Sequence, residues 1–142
     1  MNYEEMSDFE INAAVTNLVY GCDGWELNWT NNCFFHCGID GSGYYRQAIH
    51  NYCNNPSDAW PIIIENKISI HHDIARYSAD SLVYSKRFDD GFKIFRHEGK
   101  MGDTSSRAAL RSAIICYLKM KDEDNINPHK EQITDIVGEE KL

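Results

Sequence analysis

Long apolar runs are missing from this sequence. The longest, Trp60–Ile64 and Ala113–Leu118, fall far short of the roughly 20 residues a membrane-crossing helix needs, so no membrane association is expected. Met1–Phe9 carries Glu4, Glu5 and Asp8 with no basic residue, which leaves no expected signal or transit peptide. Basic residues stay scarce well beyond that point. Residues 1–66 contain Arg46 alone against nine acids, a net of −8, whereas residues 67–142 contain thirteen of each sign. Such acidity argues against duplex nucleic acid as a partner, because sequence-independent binding needs Lys and Arg to neutralise phosphates. Also missing are a Ser nucleophile elbow, a Walker loop and a glycine-rich strand-to-helix turn; Gly38, Gly41 and Gly43 occur without that context. The five cysteines are odd in number and have no export signal, so reduced thiols and a cytoplasmic location are expected.

What is present suits a folded domain. The chain has 142 residues, enough to bury a core without staples, and 12% aromatic content, which general disorder would lack. We expect one domain over residues 1–122 and a polar, weakly structured tail over 123–142. Only the stretch 86–111 is locally basic: Lys86, Arg87, Lys93, Arg96, Lys100, Arg107 and Arg111 face four acids. A solvated face is the simplest account of it, with one small anion or an acidic partner as the alternative.

Ser7 followed by Glu10 is a capping-box pattern, and apolar spacing from Phe9 to Val19 followed by Gly21 predicts a helix over 7–20. Trp25, Leu27 and Trp29 alternate with polar residues and predict a strand, returned through Asn31-Asn32 into a second strand over 33–39. Tyr44, Tyr45 and Arg46 begin another extended piece. Asn54 to Asp58 is dense in cap residues and predicts a helix over 57–66, with Pro61 in its first turn or bending it. A short strand over 68–72, a loop over 73–80, and a hairpin of 82–88 with 92–96 through Asp89-Asp90-Gly91 follow. Asp103 or Thr104 caps the last strong helix, which runs to about Lys121; a weak helical turn over 129–137 completes the list. The order implies an α+β fold, a largely antiparallel small sheet with three main helices packed on it. Strand order is left open.

Three blocks carry a resemblance: NYEEMSDFEIN at residues 2–12, CNNPSDAWPIIIENKIS at 53–69, and LRSAIICYLKM at 110–120. Together they resemble the NinX-like phage proteins, found in the nin region of lambdoid phages and related prophages. The middle block is the most specific. Residues 22–52, 71–109 and the tail after Asp122 depart from the family pattern, so a function held there is not carried by the resemblance. The resemblance implies a phage or prophage accessory protein in the bacterial cytoplasm, with no activity attached; by analogy, such proteins often counter host defence.

Candidate sites follow. Cys33, Cys37, His50 and Cys53 mimic a zinc set with soft thiolates and an imidazole, and His36 is a further donor. In a strand, however, Cys33 and Cys37 stand about 13 Å apart at roughly 3.3 Å per residue, and buried cysteines pack as small hydrophobes. No metal or other cofactor is expected. Asn54, Asn55, Asp58 and Trp60 offer amides, a carboxylate and a flat ring to a planar ligand, set against their plainer use as helix cap and aromatic anchor. Arg107 and Arg111 share one helix face; an internal salt bridge of Arg111 to Asp58 or Glu65 competes with bidentate anion binding. Tyr44, Tyr45 and Arg46 are of the types favoured at interaction hot spots. With no convincing nucleophile or acid–base pair, the sequence reads as a binding protein before an enzyme. The leading expectation is stoichiometric sequestration of a nucleotide-like signal, in an oligomer. Inhibition of a host protein through the acidic face is the alternative, and a small hydrolase or nuclease the third.

Overall fold

The computed structural model describes residues 2–38, 41 and 43–126. Their order is a 3-10 turn at Tyr3–Glu5, then α1 (Asp8–Tyr20), β1 (Glu26–Asn28), β2 (Cys33–His36), β3 (Tyr45–Ala48), α2 (Pro56–Glu65), β4 (Ser69–His72), β5 (Tyr77–Tyr84), β6 (Phe92–Glu98) and α3 (Ser106–Ile126). The fold is α+β, and all its strand pairs are antiparallel among the described residues. The strands divide between two three-stranded sheets, ordered β1-β2-β3 and β4-β5-β6.

Local chemistry sets the helix ends. Ser7 accepts from the Glu10 amide while the Glu10 carboxylate accepts from the Ser7 amide, so the capping box is complete; Gly21 closes α1 at φ 70°. The Asn55 side chain accepts from the Ser57 amide and starts α2 one residue earlier than expected. Pro61 lies inside α2 and is tolerated there without ending it. At α3 the cap is Ser105, whose hydroxyl accepts from the Ala108 amide while Asp103 holds Ser105 in place; the expected Asp103 or Thr104 lies two residues or one too early. The helix then continues through Ile126, past the point where apolar spacing ends.

Four strand expectations need correction. The stretch 73–80 is not all loop, since β5 begins at Tyr77. It is the central strand of its sheet and lies under α3, where Ala79 and Ser81 are fully buried; the small residues that permit this contact hide the strand from propensity. The hairpin connection is also longer than Asp89-Asp90-Gly91. Ser85 and Gly91 close a loop in which Phe88 leaves the strand and folds back edge-on to Phe95, ring centroids 6.3 Å apart. Trp29 likewise falls outside β1, stacking on Phe9 at 4.3 Å with most of its surface exposed. Strand β2 ends at His36, so the expected continuation through Cys37 and Gly38 is not strand; Ile39 lies outside the described residues, as does the turn expected over 129–137.

The main core joins α1, α2, α3 and the second sheet through Ile11, Val15, Ile62, Ile63, Phe95 and the continuous run Ala113–Leu118. A smaller core holds the first sheet on α1 through Ala13, Cys22, Phe34 and Ile49. Close contact at the end of β6 depends on Gly99, where a Cβ would lie 2.7 Å from the Tyr77 carbonyl oxygen and 2.8 Å from Ser112 Oγ. No helix among the described residues is long and apolar enough to cross a membrane.

Candidate functional site

The nine residues singled out as ligand candidates separate into five places. Asn54, Arg107 and Arg111 meet at one carboxylate, Asp8. Arg107 Nε donates to Asp8 Oδ2 at 2.8 Å, and its Nη2 contacts the same oxygen. Arg111 Nη1 donates to Asp8 Oδ1 at 2.7 Å, and Asn54 Nδ2 to Oδ2 at 3.2 Å. Arg111 therefore pairs with Asp8 in place of the expected Asp58 or Glu65. Its other nitrogen, Nη2, donates to the carbonyls of Tyr3, Glu4 and Met6 at 3.2, 3.2 and 2.7 Å. Burial acts most strongly on Asp8 and works against ionisation, but the Asn54 and Arg107 hydrogen bonds with both guanidinium charges outweigh it and hold the carboxyl below its usual range. The arrangement ties the N-terminal turn and α1 to α3.

Asn55 is spent on the cap of α2. Trp60 points outward, 59% exposed, and so is no core anchor. Tyr44, Tyr45 and Arg46 lie on the first sheet and its entrance; Tyr45 stacks on His36 at 4.6 Å, Tyr44 lies 6.1 Å from Phe35, and Arg46 reaches the Asn31 carbonyl. Of the cysteines set against zinc, Cys33 and Cys53 are buried and Cys37 is exposed. Among the described residues no three Cys, His, Asp or Glu side chains converge as a metal would require.

Asp58 has a different setting. It lines an open cleft of about 640 Å³ between the end of α1, the segment leading into α2, α2 itself and α3. There Tyr20 and His50 stack at 5.4 Å with planes 19° apart, and Tyr52 lies tilted against His50 at 5.9 Å. His50 Nδ1 is 3.6 Å from Asp58 Oδ1, while Asp58 Oδ2 accepts from the Asn51 amide at 3.1 Å. Glu65 and Lys121 complete the charged lining. Burial, aided by the nearby Tyr20, pushes the Tyr52 hydroxyl up to about 12, so it stays protonated. Two carboxylates against one ammonium suit a ligand rich in hydrogen-bond donors, and the Tyr20–His50 pair offers a flat apolar wall.

Asp8, Tyr20 and His50 were not read as working together from the sequence. His50 stood in the sequence only as one donor of the zinc set, and Asp8 only as one acid of the N-terminal stretch. Nothing local marks Asp8 as the shared partner of residues 99 and 103 positions away.

No curated protein matches the chain. One solved structure, a phage protein from Bacillus cereus ATCC 14579 at 2.0 Å, aligns over 83% of this chain and 93% of its own at 14% identity and TM-score 0.45. A family model described as Bacteriophage P22, NinX matches residues 2–121, so the chain belongs to the NinX family of phage proteins.

Proposed function

We propose that this phage accessory protein acts by stoichiometric binding in the host cytoplasm, holding a nucleotide-like small molecule by its base in the cleft between α1, α2 and α3. The observation that carries the reading is the stacked Tyr20–His50 pair beside Asp58 within that cleft. A volume of about 640 Å³ falls in the range of small-molecule sites. Stacking on an aromatic side chain is worth about 1–3 kcal/mol per base, independent of base identity. Asp58 and Glu65 would then accept from ring N–H and exocyclic amino groups. Arg107, Arg111 and Asn54 act at the Asp8 end of α1, the opposite end from Tyr20, where they fix α1 against α3 and the entrance of α2. Sequestration of a host signal in this way would blunt a defence that depends on it.

The test is a thermal-shift and calorimetric screen against linear and cyclic nucleotides. Tyr20→Ala and Asp58→Asn should each weaken the best ligand at least tenfold, with the fold intact by circular dichroism. Ligand released by denaturation should be chemically unchanged; an altered molecule would make the protein an enzyme and end this reading. Inhibition of a host protein is the second reading, favoured by the −8 of residues 1–66. It predicts capture of one host partner with affinity that weakens as salt rises.

A further inference from the structure

Antiparallel sheets with one solvated face normally alternate apolar residues inward and polar residues outward. The inner side of the second sheet is buried against the core by Ala79 and Phe95, together with the polar Ser81 and His97. On its outer side the rule inverts over half the surface. Leu82 stands opposite Ile94, and Tyr84 opposite Phe92. These four large side chains are 59%, 63%, 65% and 54% exposed respectively, although they form one contiguous block.

We propose that this block is the interface through which two copies of the chain associate, face to face, about a twofold axis. Three features select a second copy as the occupant. The first is charge. The chain carries −8, which opposes self-association wherever acidic surfaces meet. Residues 69–98, which form this sheet, hold five acids (Asp73, Asp80, Asp89, Asp90, Glu98) and five bases (Arg76, Lys86, Arg87, Lys93, Arg96), a net of zero. Two copies can therefore meet here while their acidic halves stay apart.

The second feature is the border of the block. On the same outer face Asp80 lies 3.2 Å from His71 and 3.6 Å from Arg96, and Glu98 lies 3.6 Å from Arg96 and 2.9 Å from Arg76. Alternating signs of this kind suit the rim of an isologous contact, in which each cation of one copy can meet an anion of its mate. The third feature is area. At these exposures each of the four side chains offers on the order of 100 Å², or roughly 400 Å² together. With the polar rim added, this approaches the roughly 800 Å² per partner of a standard stable interface.

Tyr84 and Phe92 of the block brace each other before any partner arrives. Tyr84 meets Phe92 edge-on at 5.1 Å, and its ring lies so close to Gly91 that a Cβ there would sit 2.7 Å from a ring carbon. Rigid aromatic groups lose little side-chain freedom on association. The inference is independent of the cleft, which lies among the helices.

Sedimentation equilibrium or light scattering on the full chain, from about 10 to 200 µM, tests the proposal. The expected mass is twice the 16.4 kDa of one chain. Ile94→Glu should weaken dimerisation about 30-fold or more, the scale of a hot-spot loss, with unchanged circular dichroism because the side chain is already solvated. Ile64→Glu, on the exposed face of α2 and away from this sheet, should leave the mass unaltered. Should Ile94→Glu fail to fold, Leu82→Ser and Tyr84→Ser replace it. A wild-type chain that is monomeric throughout, or a dimer that survives the block substitutions, overturns the proposal.

Discussion

Replacing Arg111 with Met should remove a large share of the protein's stability while hardly changing side-chain volume. The guanidinium is 15% exposed and serves four acceptors: Asp8 and the carbonyls of Tyr3, Glu4 and Met6. Met supplies none of the donors, so the three carbonyls lose a charged partner and Asp8 loses its more buried one. Breaking one side of a buried pair costs about 3–5 kcal/mol. Asp8 keeps Arg107 and Asn54, which places the expectation near the lower end, about 3 kcal/mol. That is a large fraction of the 5–15 kcal/mol typical of a domain. Arg107 binds the same carboxylate but its side chain is 60% exposed. Its replacement by Met should cost only about 0.2–1 kcal/mol, as surface pairs do. Urea unfolding followed by tryptophan fluorescence gives both values. Equal losses at the two positions, or a loss under about 1 kcal/mol for Arg111→Met, would refute the argument that burial and carbonyl contacts set the difference. Arg111→Lys should recover only part of the loss, since a single ammonium cannot reproduce the planar fork.

Two further predictions concern ionisation. Burial lowers the His97 pKa, against the opposing hydrogen bond between Nε2 and Glu4 at 2.6 Å, and the buried Nδ1 has no hydrogen-bond partner among the described residues. A depressed histidine pKa contributes stability that is whole above the unfolded value, near 6.5, and is lost as pH falls below it. Asp8, also depressed, adds a second loss only as pH falls below about 4. Wild-type unfolding midpoints should therefore drop between pH 7.5 and 5.5, and His97→Gln should flatten that interval; an unchanged slope would remove His97 from the account. For the thiols, burial pushes Cys53 and Cys116 up to about 12 and raises Cys22, while Cys33 is 1% exposed. Native protein at pH 8 should titrate one fast thiol, Cys37, with the other four reacting only on unfolding. Rapid labelling of two or more would contradict the described burial.

Sequence alone settled the features that depend on a few neighbouring residues. The Ser7–Glu10 box, the stop at Gly21, the cap-rich Asn54–Asp58 entry (to within one residue) and the apolar run Ala113–Leu118 each act within a turn or two of helix, so spacing is enough to read them. The turn at Asn31-Asn32 and the antiparallel character of the strands were legible for the same reason. Strand β5 was partly hidden, because residues chosen to fit beneath a helix lack the bulk that marks a strand. The candidate site was less legible still. Asn54, Arg107 and Arg111 were visible as unusual residues, but their common partner Asp8 is set by the docking of α1 on α3. Tyr20, His50 and Asp58 share a cleft only because three helices converge there, and the division of six strands into two sheets likewise rests on contacts far apart in the chain. Local propensity determines where elements begin and end; which side chains meet depends on burying one face of each element against another, and that choice is made in three dimensions.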